Sequence, residues 1–93
     1  MIKTFLCKET EKVFNKIFSR QLPQSIQQAA LRKLEILDNA VDINDLKAPP
    51  SNKLEKLKGN RCSQHSIRIN HQWRVCFEWH ENNAYDVEIV DYH

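Results

Sequence analysis

The chain has 93 residues, a net charge of +2 and 28% charged residues. That length supports one domain, residues 1–93, with a modest core, and the composition excludes a disordered chain. Lys3, Lys8 and Glu9 interrupt the first stretch, and no apolar run approaches bilayer length, so neither a secretory signal nor a membrane span is expected.

Residues 2–6 are β-prone and predict a first strand. From Glu9 to about Ser19, Val13, Phe14, Ile17 and Phe18 form one face of a helix. Leu22-Pro23 breaks it, and Pro23 suits the first turn of the next helix. Between Pro23 and about Ala40, Ile26, Ala30, Leu34, Leu37 and Val41 recur at helical spacing, with Arg32, Lys33, Glu35 and Asp38 mostly on the other side. Two amphipathic helices with a short link form a helical hairpin. Ile43 to Leu46 can add one helical turn. Pro49-Pro50 predicts an extended stretch. Leu54 and Leu57 then mark a short edge segment, and Gly59-Asn60 a turn.

The last third alternates. His65, Ile67 and Ile69 oppose Ser66, Arg68 and Asn70. Trp73, Val75, Phe77 and Trp79 oppose Arg74, Cys76, Glu78 and His80. Tyr85, Val87 and Ile89 oppose Asp86 and Glu88. Turns at His71-Gln72 and Glu81-Asn82-Asn83 connect three strands into an antiparallel meander with one apolar face. The helical hairpin can cover that face, giving an α+β fold of two layers. Arg68 and Arg74 are then expected on the open face.

Charge is segregated along the chain. Residues 47–74 hold seven Lys/Arg (Lys47, Lys53, Lys56, Lys58, Arg61, Arg68, Arg74) against Glu55 alone. That is a net +6 for the segment, and the rest of the chain carries −4 to reach +2. A charge run is most often a solvated face. This one lies in a stretch nearly free of acids, which favours a polyanion such as an RNA backbone.

RNA carries its own nucleophile, the 2′-hydroxyl. Cutting it without a metal requires a group to take the 2′ proton, cations for the phosphate, and a donor for the leaving 5′ oxygen. The final strand leads to Asp91-Tyr92-His93. An imidazole suits proton transfer near neutrality, a phenol can stack a base, and the acid can orient the imidazole. A frayed terminus is the bland alternative for His93. Arg74, held on a rigid strand between the apolar positions Trp73 and Val75, suits a phosphate through its fork. Lys58 and Arg61 flank the Gly59-Asn60 turn and can reach a backbone from the rim, and Lys53, Lys56 and Arg68 extend the basic strip. Cys7, Cys62 and Cys76 are widely spaced without a C-x-x-C, and His65 and His71 have no partners at metal-ligand spacing. No metal or other cofactor is expected.

The segment Asn52 to Arg61, the segment His65 to Asn70, Gln72-Trp-Arg-Val-Cys-Phe77 and Val87-Glu-Ile-Val-Asp-Tyr-His93, in the order strand, helical hairpin, meander, resemble the HigB branch of the RelE/ParE toxin superfamily. The Trp-Arg strand and the final Asp-Tyr-His are its most specific marks. The resemblance implies a RelE-like fold with a helical hairpin on one face of a small, mainly antiparallel sheet. It implies the toxin of a type II toxin–antitoxin pair that cleaves mRNA in the ribosomal A site and arrests translation. The implied site is Lys58, Arg74, Asp91, Tyr92 and His93, with Arg68 in support. The implied partners are a HigA-like helix-turn-helix antitoxin, the ribosome and mRNA, with operator DNA bound only through the antitoxin complex, in the cytoplasm and away from membranes. Some relatives place a histidine where this chain has Glu55; if that histidine transfers a proton there, its role here falls to Glu55 or is absent, and the assignment of base and acid between Glu55 and His93 is open. A non-catalytic ribosome-binding inhibitor and a ParE-like gyrase poison are the alternatives.

Overall fold

A computed structural model describes residues 1–61 and 63–91. Two helices, α1 (Lys8–Phe14) and α2 (Gln24–Asn39), precede strands β1 (Glu55–Lys56), β2 (Gln64–Arg68), β3 (Trp73–His80) and β4 (Asn83–Asp91). The strands form one antiparallel sheet in chain order, β1-β2-β3-β4. The N-terminal residues are not a full strand. They make two isolated parallel bridges, Ile2 with Ala84 and Phe5 with Val87, which cover the β4 edge.

The helices lie on one face of this sheet and close the expected two-layer α+β core. Ile26, Ala30, Leu34 and Leu37 of α2 recur at three- and four-residue spacing and are buried. They join Ile67, Val75, Phe77, Ala84, Val87 and Ile89 from the sheet in one apolar cluster, with Trp73 and Trp79 packed at its margin. Burying a leucine such as Leu34 contributes about 1.5–3 kcal/mol relative to exposure. Among the described residues, no helix is long and apolar enough to cross a membrane.

Four local expectations change. First, α1 ends at Phe14, well short of Ser19. Ile17 N–H donates to the Lys12 carbonyl and Lys16 N–H to the Val13 carbonyl, the two bonds of a Schellman stop. Lys16 takes the left-handed position (φ 64°) usually given to glycine. Long-range bonds hold the reversal: Ser19 Oγ donates to Glu9 (2.6 Å), and the Gln27 side chain bridges the N–H and carbonyl of Ser19. Ile17 and Phe18 are left exposed.

Second, α2 stops before Val41. Ala40 turns to extended backbone and is buried in its place, and Val41 is exposed. A capping box between Asp42 and Asp45 starts a 3-10 turn over Ile43–Lys47, as expected there.

Third, Pro50 does not extend the chain. It opens a 3-10 turn, Pro50–Asn52, because its fixed φ suits a first helical position.

Fourth, β4 changes phase. Cys76 pairs with Glu88 but Glu78 with Tyr85, so β4 carries one extra residue. Asp86 absorbs it at φ 52°, with its N–H donated to Thr4 Oγ1 at 2.8 Å. Ala84, not Tyr85, therefore faces the core, and Tyr85 rests against the His80 ring.

Candidate functional site

Arg74 lies on the sheet face away from the helices, but that face is not open there. Arg74 is 7% exposed, and Ser66 and Cys76 beside it are fully buried. The expectation of a solvent-facing arginine is corrected by the connection that follows α2. There Lys53 supplies a backbone carbonyl to the guanidinium. The alternation of β3 correctly assigns the face. It carries no information about what a distant loop lays on it.

The guanidinium is held from several sides. Nε–H donates to Ser66 Oγ at 2.7 Å, and Nη2–H to the carbonyls of Lys53 and Ser66. Glu55 Oε1 lies 3.3 Å from Nη2, with its carboxylate about half exposed. Ser66 stands opposite Cys76 in β2–β3 and opposite Glu55 in β1–β2. One strand thus places the hydroxyl that anchors Arg74 beside the acid that neutralises it. Burial of a charge is tolerated only when it is paired and hydrogen-bonded in this way.

Arg68 faces Arg74 directly across β2–β3. Like charges in opposed positions destabilise a sheet pair. Their retention at one point concentrates positive charge where an anion can sit. These residues line a surface depression of about 360 Å³ with Lys53, Glu55, Asn70 and His71. Asn70 shapes its rim. Its Oδ1 accepts the N–H groups of Gln72 and Trp73, both at 2.8 Å, and tightens the hairpin. Lys53 contributes through an unusual backbone. It is left-handed (φ 46°, ψ 53°), a costly conformation for a lysine, seen mostly where the surrounding structure imposes it.

The remaining sequence-derived candidates are dispersed around this depression. Lys58 is exposed between β1 and the 3-10 turn Gly59–Arg61. Lys56 is next to Glu55 in β1 and in register with His65, so alternation turns it to the other side of the strand. Asp91 ends β4 in register with Trp73 and accepts a hydrogen bond from Gln72 Nε2 at 3.1 Å. Tyr92, His93 and the side chain of Arg61 lie outside the described residues. Asn70 and His71, which the sequence reading does not include in the site, also line the depression. The sequence carries a signal for them, since an Arg68–Arg74 pair at the hairpin end brings the connecting loop alongside both arginines.

Burial lowers the pKa of His65, reinforced by the positive charge of Lys56. Its ring stacks on Phe77 and its Nδ1 is buried without a hydrogen-bond partner among the described residues. Among the described residues, no group of three or more His, Cys, Asp or Glu side chains is arranged to hold a metal ion.

Similarity to known proteins covers the whole chain. A family model described as the RelE-like toxin of the type II toxin–antitoxin system HigB matches residues 3–93. Toxin HigB-1 of Vibrio cholerae is 50% identical over 60 residues, which span 64% of this chain and 63% of that protein. Endoribonuclease HigB of Proteus vulgaris is 31% identical over 93 residues, all of both chains. In solved structures, a chain of the heterotetrameric YoeB–YefM toxin–antitoxin complex of Staphylococcus aureus superposes with a TM-score of 0.61. It is 22% identical, with 100% of this chain and 98% of that chain covered, and so shares the fold.

Proposed function

Because the chain belongs to the RelE-like HigB toxins of type II toxin–antitoxin systems, we propose that it is an endoribonuclease that cleaves mRNA on the ribosome, in the A site. The similarity to the Proteus vulgaris endoribonuclease supports the reaction class. The observation that carries the reading is the buried Arg74, fixed by Ser66 and Lys53, facing Arg68 across a depression that also holds Glu55.

The reaction balances with the chain's own groups. The 2′-oxygen attacks the adjacent phosphorus as its proton passes to the Glu55 carboxylate, an acceptor in the depression. Arg74 and Lys58 stabilise the charge that builds on the phosphoryl oxygens, with Arg68, Lys53 and Arg61 on the flanking backbone. The phosphorus–5′-oxygen bond breaks, and protonated His93 supplies the leaving oxygen with a proton. The products are a 2′,3′-cyclic phosphate and a 5′-hydroxyl. Asp91 orients His93, and Tyr92 stacks a base. With so few catalytic groups, the ribosome supplies the alignment of the RNA, which is a large share of the rate.

A HigA-like helix-turn-helix antitoxin is the proposed partner, with operator DNA bound through the complex and the cytoplasm as the site of action. Primer extension on a defined mRNA, with and without programmed ribosomes, tests the reading. Cuts at the A-site codon that require ribosomes and vanish in His93→Ala and Arg74→Ala are expected. Blocked translation over intact message would replace the nuclease with a binding inhibitor. A 3′-hydroxyl with a 5′-phosphate would refute the 2′-hydroxyl route.

A further inference from the structure

Arg74 lies on one face of the sheet and the helices on the other, yet a continuous chain of polar contacts joins them. Its centre is Asn52, a fully buried residue at the end of the Pro50–Asn52 turn. Asn52 Nδ2 donates to the carbonyls of Leu46 and Ala48, both at 3.2 Å. Its Oδ1 accepts from Lys33 Nζ, on α2, at 2.6 Å. The amide therefore ties the whole 46–53 connection to the helical layer. The next residue is Lys53, whose left-handed backbone aims its carbonyl at Arg74 Nη2.

We propose that Asn52 and Lys33 are positioning residues for Arg74, setting the guanidinium's direction through the Lys53 carbonyl. This rests on the nuclease reading only for its catalytic consequence.

The physical case has three parts. A left-handed lysine is not favoured locally, so something outside residue 53 must impose it. The turn before it is closed by short backbone bonds, Asn52 N–H to the Pro49 carbonyl and Lys53 N–H to the Pro50 carbonyl. These set its curvature but do not fix it to the domain. Asn52 does, because a buried amide satisfied at both ends specifies one arrangement of the segments it joins. Lys33 is an unusual partner. Its ammonium is partly withdrawn from water, and that burial, with Arg32 nearby, lowers its pKa. A lysine so placed costs free energy that a surface lysine would not, and its contact here is with Asn52.

The test uses the full-length protein with Lys33→Met and Asn52→Asp. Lys33→Met keeps the aliphatic stem and loses the ammonium. Asn52→Asp keeps the shape and loses the donors to Leu46 and Ala48. The first readout needs no activity: hydrogen exchange of the Arg74 Nη2–H, the group that donates to the Lys53 carbonyl, followed by NMR at a temperature where circular dichroism shows each variant folded. Exchange at least about tenfold faster than in the wild type is expected, because that Nη2–H loses its fixed acceptor. Exchange within twofold of wild type in a folded Lys33→Met would overturn the inference, even if Asn52→Asp does not fold.

The second readout is ribosome-dependent cleavage of mRNA carrying an Rp or Sp phosphorothioate at the cut. Misaimed Arg74 lowers kcat by about tenfold at nearly unchanged KM and shifts the Rp/Sp preference towards that of Arg74→Lys. Simple loss of folded protein lowers both isomers in proportion and leaves the ratio fixed, and that result would also overturn the inference. A wild type that cuts nothing sinks the nuclease reading instead, while the exchange measurement still decides the positioning.

Discussion

Ser66→Ala removes one oxygen from the least accessible polar contact of the site, and its cost can be estimated. Ser66 Oγ is fully buried and accepts the Arg74 Nε–H at 2.7 Å. A hydrogen bond to a charged partner contributes about 1.5–3 kcal/mol, and the alanine leaves the Nε–H without that acceptor at a position largely withdrawn from water. For a domain this small, whose total stability is expected near 5–15 kcal/mol, that is a large share. At a urea dependence of about 1.5 kcal/mol per M, the unfolding midpoint falls by roughly 1–2 M. The assay is urea unfolding of wild type, Ser66→Ala, Arg74→Met and the double variant. Removing both partners spares the cost of a buried donor deprived of the Ser66 hydroxyl, so the double variant is less destabilised than the single costs added together, by at least about 1 kcal/mol. The exposed Ser51→Ala should stay within about 0.5 kcal/mol of wild type. Additive single effects, or a Ser66→Ala cost below about 0.5 kcal/mol, would refute the picture of a desolvated guanidinium held by that hydroxyl.

Leu34→Ala, at a fully buried position of α2, should cost about 2–5 kcal/mol by equilibrium unfolding with little change in denaturant slope. His65 gives a pH signature. Burial holds its folded pKa below the ordinary 6.5, so as pH falls the unfolded chain takes up the proton first. Its contribution is complete above about 6.5 and declines as pH falls from there through the folded pKa. His65→Phe should therefore flatten the acid side of the stability profile, and an unchanged slope would show that His65 stays hydrated. The structure also separates two basic residues that the sequence groups together. Arg68 lines the depression and Lys56 turns away from it. Arg68→Ala should lower ribosome-dependent cleavage about tenfold, the loss of one charge-assisted contact of about 1.4 kcal/mol, while Lys56→Ala stays within about twofold. Equal effects would show that the basic strip acts as diffuse charge.

Much of this protein is legible in its sequence because its signals are periodic and local. The spacing of Ile26, Ala30, Leu34 and Leu37 announces α2, and the alternation around Val75 and Phe77 announces β3 and its core face. The segregated basic residues point to an anion, and the residues of the Trp73-Arg74 strand with Asp91-Tyr92-His93 carry the family resemblance. The departures occur where a distant contact overrides local preference. Lys16 and Asp86 take left-handed backbone without being glycine, the first held by the Glu9–Ser19–Gln27 contacts and the second by Thr4. Those partners are up to 82 positions away along the chain, beyond any local window. The site divides in the same way. Alternation alone assigns Arg74 to the face opposite the helices. Only the tertiary structure buries it there, because the loop that covers it is tied down by Asn52 and Lys33 from the other layer, and a one-dimensional pattern records which way a side chain points but not what folds over it.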